Sequence, residues 1–123
     1  MFAAGRSPIC EPGVEEFLQK GKRAGLLQGG TSVDPLLDTL DMVLLCVGTP
    51  LGVDGRLDYV HLLDVVRGLG RAIRHCRRRD TPLLIVVRST ITPGTMDQLI
   101  VPVLAQEAGS VPGERFEVAF NPE

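Results

Sequence analysis

Two uninterrupted apolar runs constrain the fold more than any other feature of the chain. They are "MVLLCV" (42–47) and "LLIVV" (83–87), and neither alternates with polar residues. Strands covered on both faces have this pattern, which is typical of parallel sheets that lie between layers of helices. A third run, "FEVAF" (116–120), has the length and composition of another strand. We therefore expect a parallel sheet with three main strands.

The segments between these strands carry helical patterns. Residues 59–76 predict a helix with Asp58 as its N-cap and an apolar stripe along one face. The stripe consists of Leu62, Val65, Val66, Leu69, Ala72, Ile73 and Cys76. Residues 96–108 predict a second helix, which we expect Pro102 to bend or interrupt.

Two shorter helices are predicted ahead of the first strand. Residues 11–21 have Pro12 near the first turn, two glutamates early and Gly21 as a stop. Residues 34–40 predict one or two helical turns, with Asp34 as the N-cap and Pro35 in the first helical position.

The order strand, helix, strand, helix, strand makes two consecutive βαβ units with right-handed crossovers. The predicted fold class is α/β, a partial Rossmann-like, doubly wound parallel sheet with three main strands and crossover helices. Doubly wound sheets usually contain more strands than this. We therefore expect residues 1–123 to form an incomplete domain.

Composition argues against several classes of partner. A formal net charge of −2 gives no reason to expect nucleic acid or an anionic membrane. The apolar runs are far too short to span a bilayer, and the N-terminal residues lack the pattern of a signal peptide. We therefore expect no membrane partner and a cytoplasmic location.

The cysteines and histidines do not have the spacing of a metal site. The three cysteines are widely separated without a CxxC motif, which argues against a disulfide framework or a zinc site. We expect Cys46, in an apolar strand, and Cys76, on the helical stripe, to be buried thiols. His61 and His75 lie fourteen residues apart on one helix without a third ligand, so we expect no metal.

The chain has two sequences that resemble phosphate-binding motifs only in part. "GLGRAI" (68–73) lies inside a helix and not after a strand, so its glycines indicate tight helix packing or a chance occurrence instead of a dinucleotide fingerprint. "RHCRRRD" (74–80) is arginine-rich at a helix C-terminus. Cations there complement the helix dipole, and a phosphate-binding patch is the alternative.

Three loops follow the three strands. They are "VGTP" (47–50), "RSTITPGT" (88–95) and "NPE" (121–123). In a parallel sheet all three emerge at the carboxyl edge, where open α/β sheets bind their ligands. Their glycine, hydroxyl and carboxylate groups suit a polar ligand, the alternative being ordinary helix caps and turn prolines. The candidate site residues are Gly48, Thr49, Ser89, Thr90 and Glu123.

Taken in order, the motifs "SPICEPG", "CVGTP", "DGRLD", "VVRSTITPGT" and "NPE" resemble the first domain of the UDP-glucose/GDP-mannose dehydrogenase family. The resemblance runs from about Gly5 to Glu123. It implies an NAD-dependent oxidoreductase that converts the C6 alcohol of a nucleotide sugar to a carboxylate. It also implies a homodimer or larger assembly.

The resemblance assigns roles to individual residues of this chain. The NAD contacts it implies are Val47, Gly48, Thr49, Pro50, Ser89, Thr90 and Glu123. Thr90 would help to position a catalytic water beside the nicotinamide, and Glu123 would lie at the reaction centre. Cys46 and Arg88 make the GDP-mannose branch a closer match than the UDP-glucose branch.

The chain also departs from the family pattern. It lacks the N-terminal GxGxxG unit, the downstream central helix and the substrate domain with its catalytic cysteine. We therefore expect an incomplete NAD-binding domain that is inactive alone and belongs to a longer enzyme. The alternatives are a non-catalytic nucleotide-binding or interaction module, an inactive fragment, or another Rossmann-type dehydrogenase.

Overall fold

A computed structural model describes residues 11–77 and 80–122. The chain divides into two compact units, which meet in the sequence between Val33 and Asp34. The first unit contains helix α1, Val14–Arg23, which has acidic residues in its first turn and basic residues in its last. This distribution of charge complements the helix dipole.

Helix α1 ends later than the sequence predicts. It passes through Gly21 and stops before Gly25, whose φ is +69°. The Leu26 N–H donates to the Gly21 carbonyl, and the Gly25 N–H donates to the Lys22 carbonyl. This pair of hydrogen bonds is a Schellman motif, which needs a left-handed residue just beyond the helix. The prediction that Gly21 ends the helix was wrong, because Gly25 adopts the left-handed conformation that ends it.

The second unit is built on a three-stranded parallel sheet. Its strands are β1 (Met42–Leu45), β2 (Leu83–Val87) and β3 (Phe116–Phe120), in the order β1-β2-β3. Helix α2, Val60–His75, connects β1 to β2, and helix α3, Val101–Ala108, precedes β3. Right-handed crossovers in this strand order place both helices on one face of the sheet. The predicted fold class is therefore confirmed.

The core lies between that face and the two helices. Alternate residues of β2 point into it, and Leu83, Ile85 and Val87 are almost fully buried. They pack with Leu62, Val66, Leu69, Ile73, Ile100, Leu104 and Phe116, which are also buried. The stripe predicted for α2 thus supplies much of the core.

The opposite face of β1 is open within the described residues. Met42 is 50% exposed and Leu44 is 54% exposed, whereas Leu45 on the helix-covered face is buried. Cys46 follows the end of β1 and is exposed. The predictions that this run is covered on both faces and that Cys46 is buried were wrong. In the described residues helices cover one face, and the strand ends at Leu45, two residues before the apolar run does.

Pro102 interrupts its helix as predicted. Residues Met96–Ile100 form a π-helical turn, and α3 then begins with Pro102 in its first turn. Proline has no N–H to donate to the preceding turn, so it fits at a new helix start but not within a continuous α-helix.

Gly70 allows α2 and α3 to approach closely. A Cβ atom at this position would lie 2.6 Å from the Glu107 Cβ and 3.1 Å from the Leu104 carbonyl oxygen. No atom lies within 4 Å of the corresponding position at Gly68. The prediction that "GLGRAI" serves tight helix packing is confirmed, and Gly70 is the residue responsible.

Among the described residues, no helix is long and apolar enough to cross a bilayer.

Candidate functional site

The three strands end at the same level. Leu45 pairs in register with Val87, which pairs with Phe120. The segments that follow therefore emerge together at the carboxyl edge, as the sequence predicts. The Arg88 and Ser89 N–H groups both donate to the Leu45 carbonyl, and the Asn121 N–H donates to the Val87 carbonyl. These bonds extend the pairing just beyond the strands and fix where each loop begins.

Ser89 is a buried connection between β1 and the loop after β2. Its side chain accepts a hydrogen bond from the Val47 N–H at 3.0 Å and donates one to the Leu45 carbonyl at 3.3 Å. The residue is 5% exposed. Its hydroxyl therefore orients Val47 and is already engaged inside the protein, so a role in cofactor contact stays a prediction.

Thr49 and Thr90 join the same two loops nearer to solvent. The Thr49 hydroxyl donates to the Thr90 carbonyl oxygen at 2.7 Å. This bond occupies the Thr49 proton and leaves the oxygen lone pairs to accept a hydrogen bond from a ligand. Within the described residues, the Thr90 hydroxyl makes no hydrogen bond and lies at the exposed surface. The Thr90 hydroxyl can thus both donate and accept.

Gly48 faces open space. No atom lies within 4 Å of a Cβ built at this position, and its φ is not in the left-handed region. Neither backbone strain nor a neighbouring atom of the described chain accounts for a glycine here. A glycine here would also permit close approach of a ligand to the backbone, and this role stays a prediction.

Backbone donors are also available at this edge. For the part of the chain that the structure describes, the N–H groups of Gly48, Thr49 and Thr90 make no hydrogen bond. Unpaired N–H groups on a loop suit phosphate, carboxamide or hydroxyl oxygens. The carboxyl edge can therefore hold a polar ligand such as a nucleotide cofactor.

The loops after β1 and β2 enclose an open cleft of about 350 Å³. It is lined by Cys46, Val47, Gly48, Thr49, Arg88, Ser89 and Thr90. Of the predicted site residues, the structure brings together Val47, Gly48, Thr49, Ser89 and Thr90 in this lining. Pro50 follows directly, and its carbonyl accepts a hydrogen bond from the Asp58 N–H at 2.8 Å.

Arg88 links this cleft to the loop after β3. Its guanidinium donates to the Asn121 side-chain oxygen at 3.3 Å. Asn121 is the first residue of the NPE motif, so the bond places that motif beside the cleft. Glu123, predicted to be catalytic, lies outside the described residues.

A larger cleft, of about 580 Å³, lies away from the strand ends. It runs between the 3₁₀ helix Asp34–Thr39 and the C-terminal half of α2. Its charged residues are of mixed sign, and no strand-end loop contributes to it. Volume alone does not identify a site. The smaller cleft at the strand ends is the better candidate, because it has the unpaired backbone N–H groups described above.

Within the described ranges, no group of three or more potential metal ligands is found.

Sequence reasoning missed a hydrogen-bonded group beside the edge. The Tyr59 hydroxyl oxygen accepts from the Thr92 N–H at 3.0 Å and shares a 3.1 Å hydrogen bond with the Thr92 hydroxyl. Burial raises the pKa of Tyr59, but hydrogen bonds from Thr92 and Thr95 outweigh it and leave the pKa below its usual value of 10.0. The available signal was a tyrosine at a helix start combined with a "TPGT" turn, 33 residues later.

Comparison with known proteins places the chain among dehydrogenases. The sequence model described as "UDP-glucose/GDP-mannose dehydrogenase family, NAD binding domain" matches residues 1–123. GDP-mannose 6-dehydrogenase of Azotobacter vinelandii is 40% identical over 123 residues, which is 100% of this chain and 28% of that protein. The chain thus spans about a quarter of that relative's length.

Solved structures agree with this match. A ternary complex of GDP-mannose dehydrogenase from Pseudomonas aeruginosa superimposes with a TM-score of 0.90 at 38% identity, over 99% of this chain and 27% of that one. A UDP-glucose dehydrogenase from Pyrobaculum islandicum gives a TM-score of 0.85 at 38% identity, over 99% and 27% of the two chains. NAD is the cofactor that the domain match indicates. The chain belongs to the UDP-glucose/GDP-mannose dehydrogenase family of NAD-dependent oxidoreductases and corresponds to its NAD-binding domain.

Proposed function

We propose that this chain supplies one wall of the NAD site in a nucleotide-sugar 6-dehydrogenase that oxidises the C6 alcohol of GDP-mannose. The observation that carries the proposal is the cleft at the carboxyl edge, where unpaired N–H groups surround Gly48 and the Thr90 hydroxyl is free of partners in the described chain. The family match supplies the identity of the cofactor.

In this proposal the loop after β1 binds the cofactor mainly through its backbone. Val47, Gly48, Thr49 and Pro50 form the contact surface, with Gly48 permitting close approach and the Thr49 oxygen accepting a hydrogen bond. Ser89 supports this surface from inside the protein, because its buried hydroxyl accepts a hydrogen bond from the Val47 N–H. Bound NAD would supply the acceptor for hydride from the sugar.

Thr90 is the residue of this cleft that we assign to the chemical step. Its hydroxyl is unpaired, whereas its carbonyl is held by Thr49. A fixed backbone with an available hydroxyl suits a group that orients a water molecule beside the reacting centre. We assign Glu123 to the same centre because it ends the NPE motif that Asn121 begins beside Arg88.

The choice of GDP-mannose as the sugar nucleotide rests on sequence similarity and not on contacts that read the sugar. Cys46 and Arg88 both line it, and both resemble the GDP-mannose branch of the family. The 40% sequence identity to the Azotobacter GDP-mannose 6-dehydrogenase supports this choice. UDP-glucose is the second candidate. A homodimeric or larger assembly and a cytoplasmic location stay predictions.

The test uses the full-length gene product that carries this chain. It is supplied with NAD and, separately, with GDP-mannose, UDP-glucose and simple hydroxy acids, and NADH formation is followed by absorbance. We expect GDP-mannose to be the best substrate and two NADH to form per sugar. NAD binding without turnover of any nucleotide sugar would contradict the enzymatic proposal and favour a nucleotide-binding module.

A further inference from the structure

A group of three hydroxyls joins the loop after β2 to the start of α2. We call it the tyrosine–threonine cluster, and it consists of Tyr59, Thr92 and Thr95. The Thr92 and Thr95 hydroxyls share a hydrogen bond of 3.0 Å, and each also contacts the Tyr59 hydroxyl, at 3.1 Å and 3.5 Å respectively. With the Thr92 N–H at 3.0 Å, the Tyr59 oxygen has three partners in one loop.

The turn within this loop presents both threonines to the tyrosine. The Thr95 N–H donates to the Thr92 carbonyl at 3.1 Å, and the residues between them are Pro93 and Gly94, with φ of +87° at Gly94. Proline followed by a left-handed glycine is the signature of a type II turn. The turn is therefore rigid, and Tyr59 holds its two ends.

Tyr59 is itself attached to the other loop of the cleft. The Asp58 N–H donates to the Pro50 carbonyl at 2.8 Å, and the Asp58 carboxylate accepts from the Val60 N–H at 2.8 Å. The Tyr59 carbonyl accepts from the Leu63 N–H at 2.8 Å, in the first turn of α2. The tyrosine backbone is thus fixed between the end of the 47–50 loop and the helix.

Thr90 lies between two attachment points. On one side Ser89 is buried and bonded to Val47 and Leu45. On the other side Thr92 is bonded to Tyr59. A residue between two such anchors has little freedom to move. The Thr49 hydroxyl also holds the Thr90 carbonyl directly. The cluster adds a restraint two residues further along the same loop, so the position of Thr90 depends on the cluster as well.

We propose that Tyr59 is a positioning residue for the NAD-binding edge, and that its hydroxyl holds the 88–95 loop so that Thr90 faces the cleft. This role extends the proposed function and rests on it. Tyr59 acts through Thr92 and is not one of the residues that line the cleft. It is half-buried, and in the described chain all hydrogen bonds of its hydroxyl go to residues of that loop.

The test compares Tyr59→Phe with Thr39→Val in the full-length gene product. The Thr39 hydroxyl donates to the Leu36 carbonyl at 2.8 Å in an exposed helical turn, so its removal deletes a hydroxyl hydrogen bond away from the edge. Hydrogen exchange by mass spectrometry is measured on peptides covering residues 88–95. Exchange in Tyr59→Phe should be about tenfold faster there, because hydrogen bonds that oppose local opening are lost. Thr39→Val should match the wild type.

Kinetics provide the second measurement. We expect Tyr59→Phe to lower kcat roughly three- to tenfold, the effect of one or two net hydrogen bonds, with a smaller change in KM for NAD. Thr92→Val should give a similar loss, and the double variant should lose little more than either single variant. Unchanged loop exchange in Tyr59→Phe, or equal kinetic losses in Thr39→Val, would overturn the positioning role. Absence of NAD binding by the wild type would instead count against the proposed function, and the exchange comparison would still decide the role of Tyr59.

Discussion

The Thr49 hydroxyl donates to the Thr90 carbonyl oxygen across 2.7 Å, although the two residues are 41 positions apart in the sequence. One residue belongs to the proposed cofactor-contact loop and the other to the proposed chemical step. The bond therefore sets the spacing between binding and reaction groups. Removal of the bond should affect both NAD binding and turnover. Removal of a side chain that serves one loop alone should affect mainly one of these two properties.

Replacing Thr49 by valine should weaken NAD binding in the full-length protein. The valine keeps the shape of the side chain but loses the bond to Thr90. We expect the Kd for NAD to rise roughly two- to tenfold, the worth of one hydrogen bond, by isothermal titration. Thr49→Ser keeps the hydroxyl and is the matched control. Equal binding by the valine and serine variants would contradict the role of this bond.

Replacing Thr90 by alanine should lower turnover more than NAD affinity. Its hydroxyl is available at the cleft and its carbonyl stays bonded to Thr49 in the variant. We expect kcat to fall by roughly tenfold to a hundredfold, at or just below the effect of about a hundredfold that starts the range for general acid–base groups. The Kd for NAD should change by less than about threefold. Thr90→Ser should retain most of the activity. A large loss of NAD affinity with unchanged kcat would mean that Thr90 only anchors the cofactor.

Replacing Gly48 by alanine should leave folding intact and impair NAD binding. A Cβ there meets no atom within 4 Å, so the free energy of unfolding should stay unchanged or rise by up to about 1 kcal/mol. The same methyl group would occupy space that the cofactor needs, and we expect a tenfold or larger rise in Kd for NAD. Denaturant unfolding and titration give the two values. Unimpaired binding would show that the glycine has no contact role.

Two glycines of α2 should respond to alanine in opposite directions. Gly70→Ala places a methyl group 2.6 Å from the Glu107 Cβ and should destabilise the fold by about 1–3 kcal/mol. Gly68→Ala meets no atom and should stabilise it by about 0.5–1 kcal/mol through lower backbone entropy in the unfolded chain. Urea unfolding of both variants is the measurement. Similar effects at the two positions would contradict close packing at Gly70.

The tyrosine–threonine cluster should be visible in the titration of Tyr59, the single tyrosine of the 123-residue chain. Burial raises the pKa of Tyr59, but hydrogen bonds from Thr92 and Thr95 lower it by more, so the pKa lies below 10.0. Ultraviolet absorbance of the phenolate should therefore show a midpoint below the usual value, and Thr92→Val should raise that midpoint. An unchanged midpoint in Thr92→Val would contradict the assigned cause.

This shift also predicts how stability depends on pH. Since the pKa is lower in the folded chain than in the unfolded one, the folded state binds the Tyr59 proton more weakly. The stabilisation that results is complete at a pH above the pKa of Tyr59 in the unfolded chain. It is lost as pH falls through the lower pKa of the folded chain, so it is absent near neutrality. Relative to Thr92→Val, the wild type should gain stability as pH rises toward 10, as measured by urea unfolding at each pH.

The strands could be predicted because burial in a parallel sheet leaves a strong local pattern. β2 matches its predicted span, Leu83–Val87, and β3 matches Phe116–Phe120. β1 is shorter than its apolar run, since Val47 turns away to bond Ser89. The exposure of Met42 and Leu44 was not predicted, because an apolar run does not reveal which faces the same chain covers.

The position of the candidate site could be predicted, but its internal hydrogen bonds could not. Strand order and parallel direction bring the loops after β1 and β2 to one edge whatever their side chains do. Ser89 and Thr90 are neighbours of the same polar type, yet one is buried under Val47 and the other faces the cleft. Contacts between residues more than 30 positions apart, such as Tyr59 and Thr92, depend on tertiary geometry and have no local signature.

Because β1 and β2 end at the same level of the sheet, cofactor binding at that edge depends on the pairing of these two strands. A ligand that touches both Gly48 and Thr90 binds only while Leu45 and Val87 remain in register. Such a ligand stabilises the paired state by RT ln(1 + [L]/Kd), which is about 2.7 kcal/mol at a hundredfold excess over Kd. Opening of the β1–β2 pair is therefore the local unfolding event that such a ligand would most directly suppress.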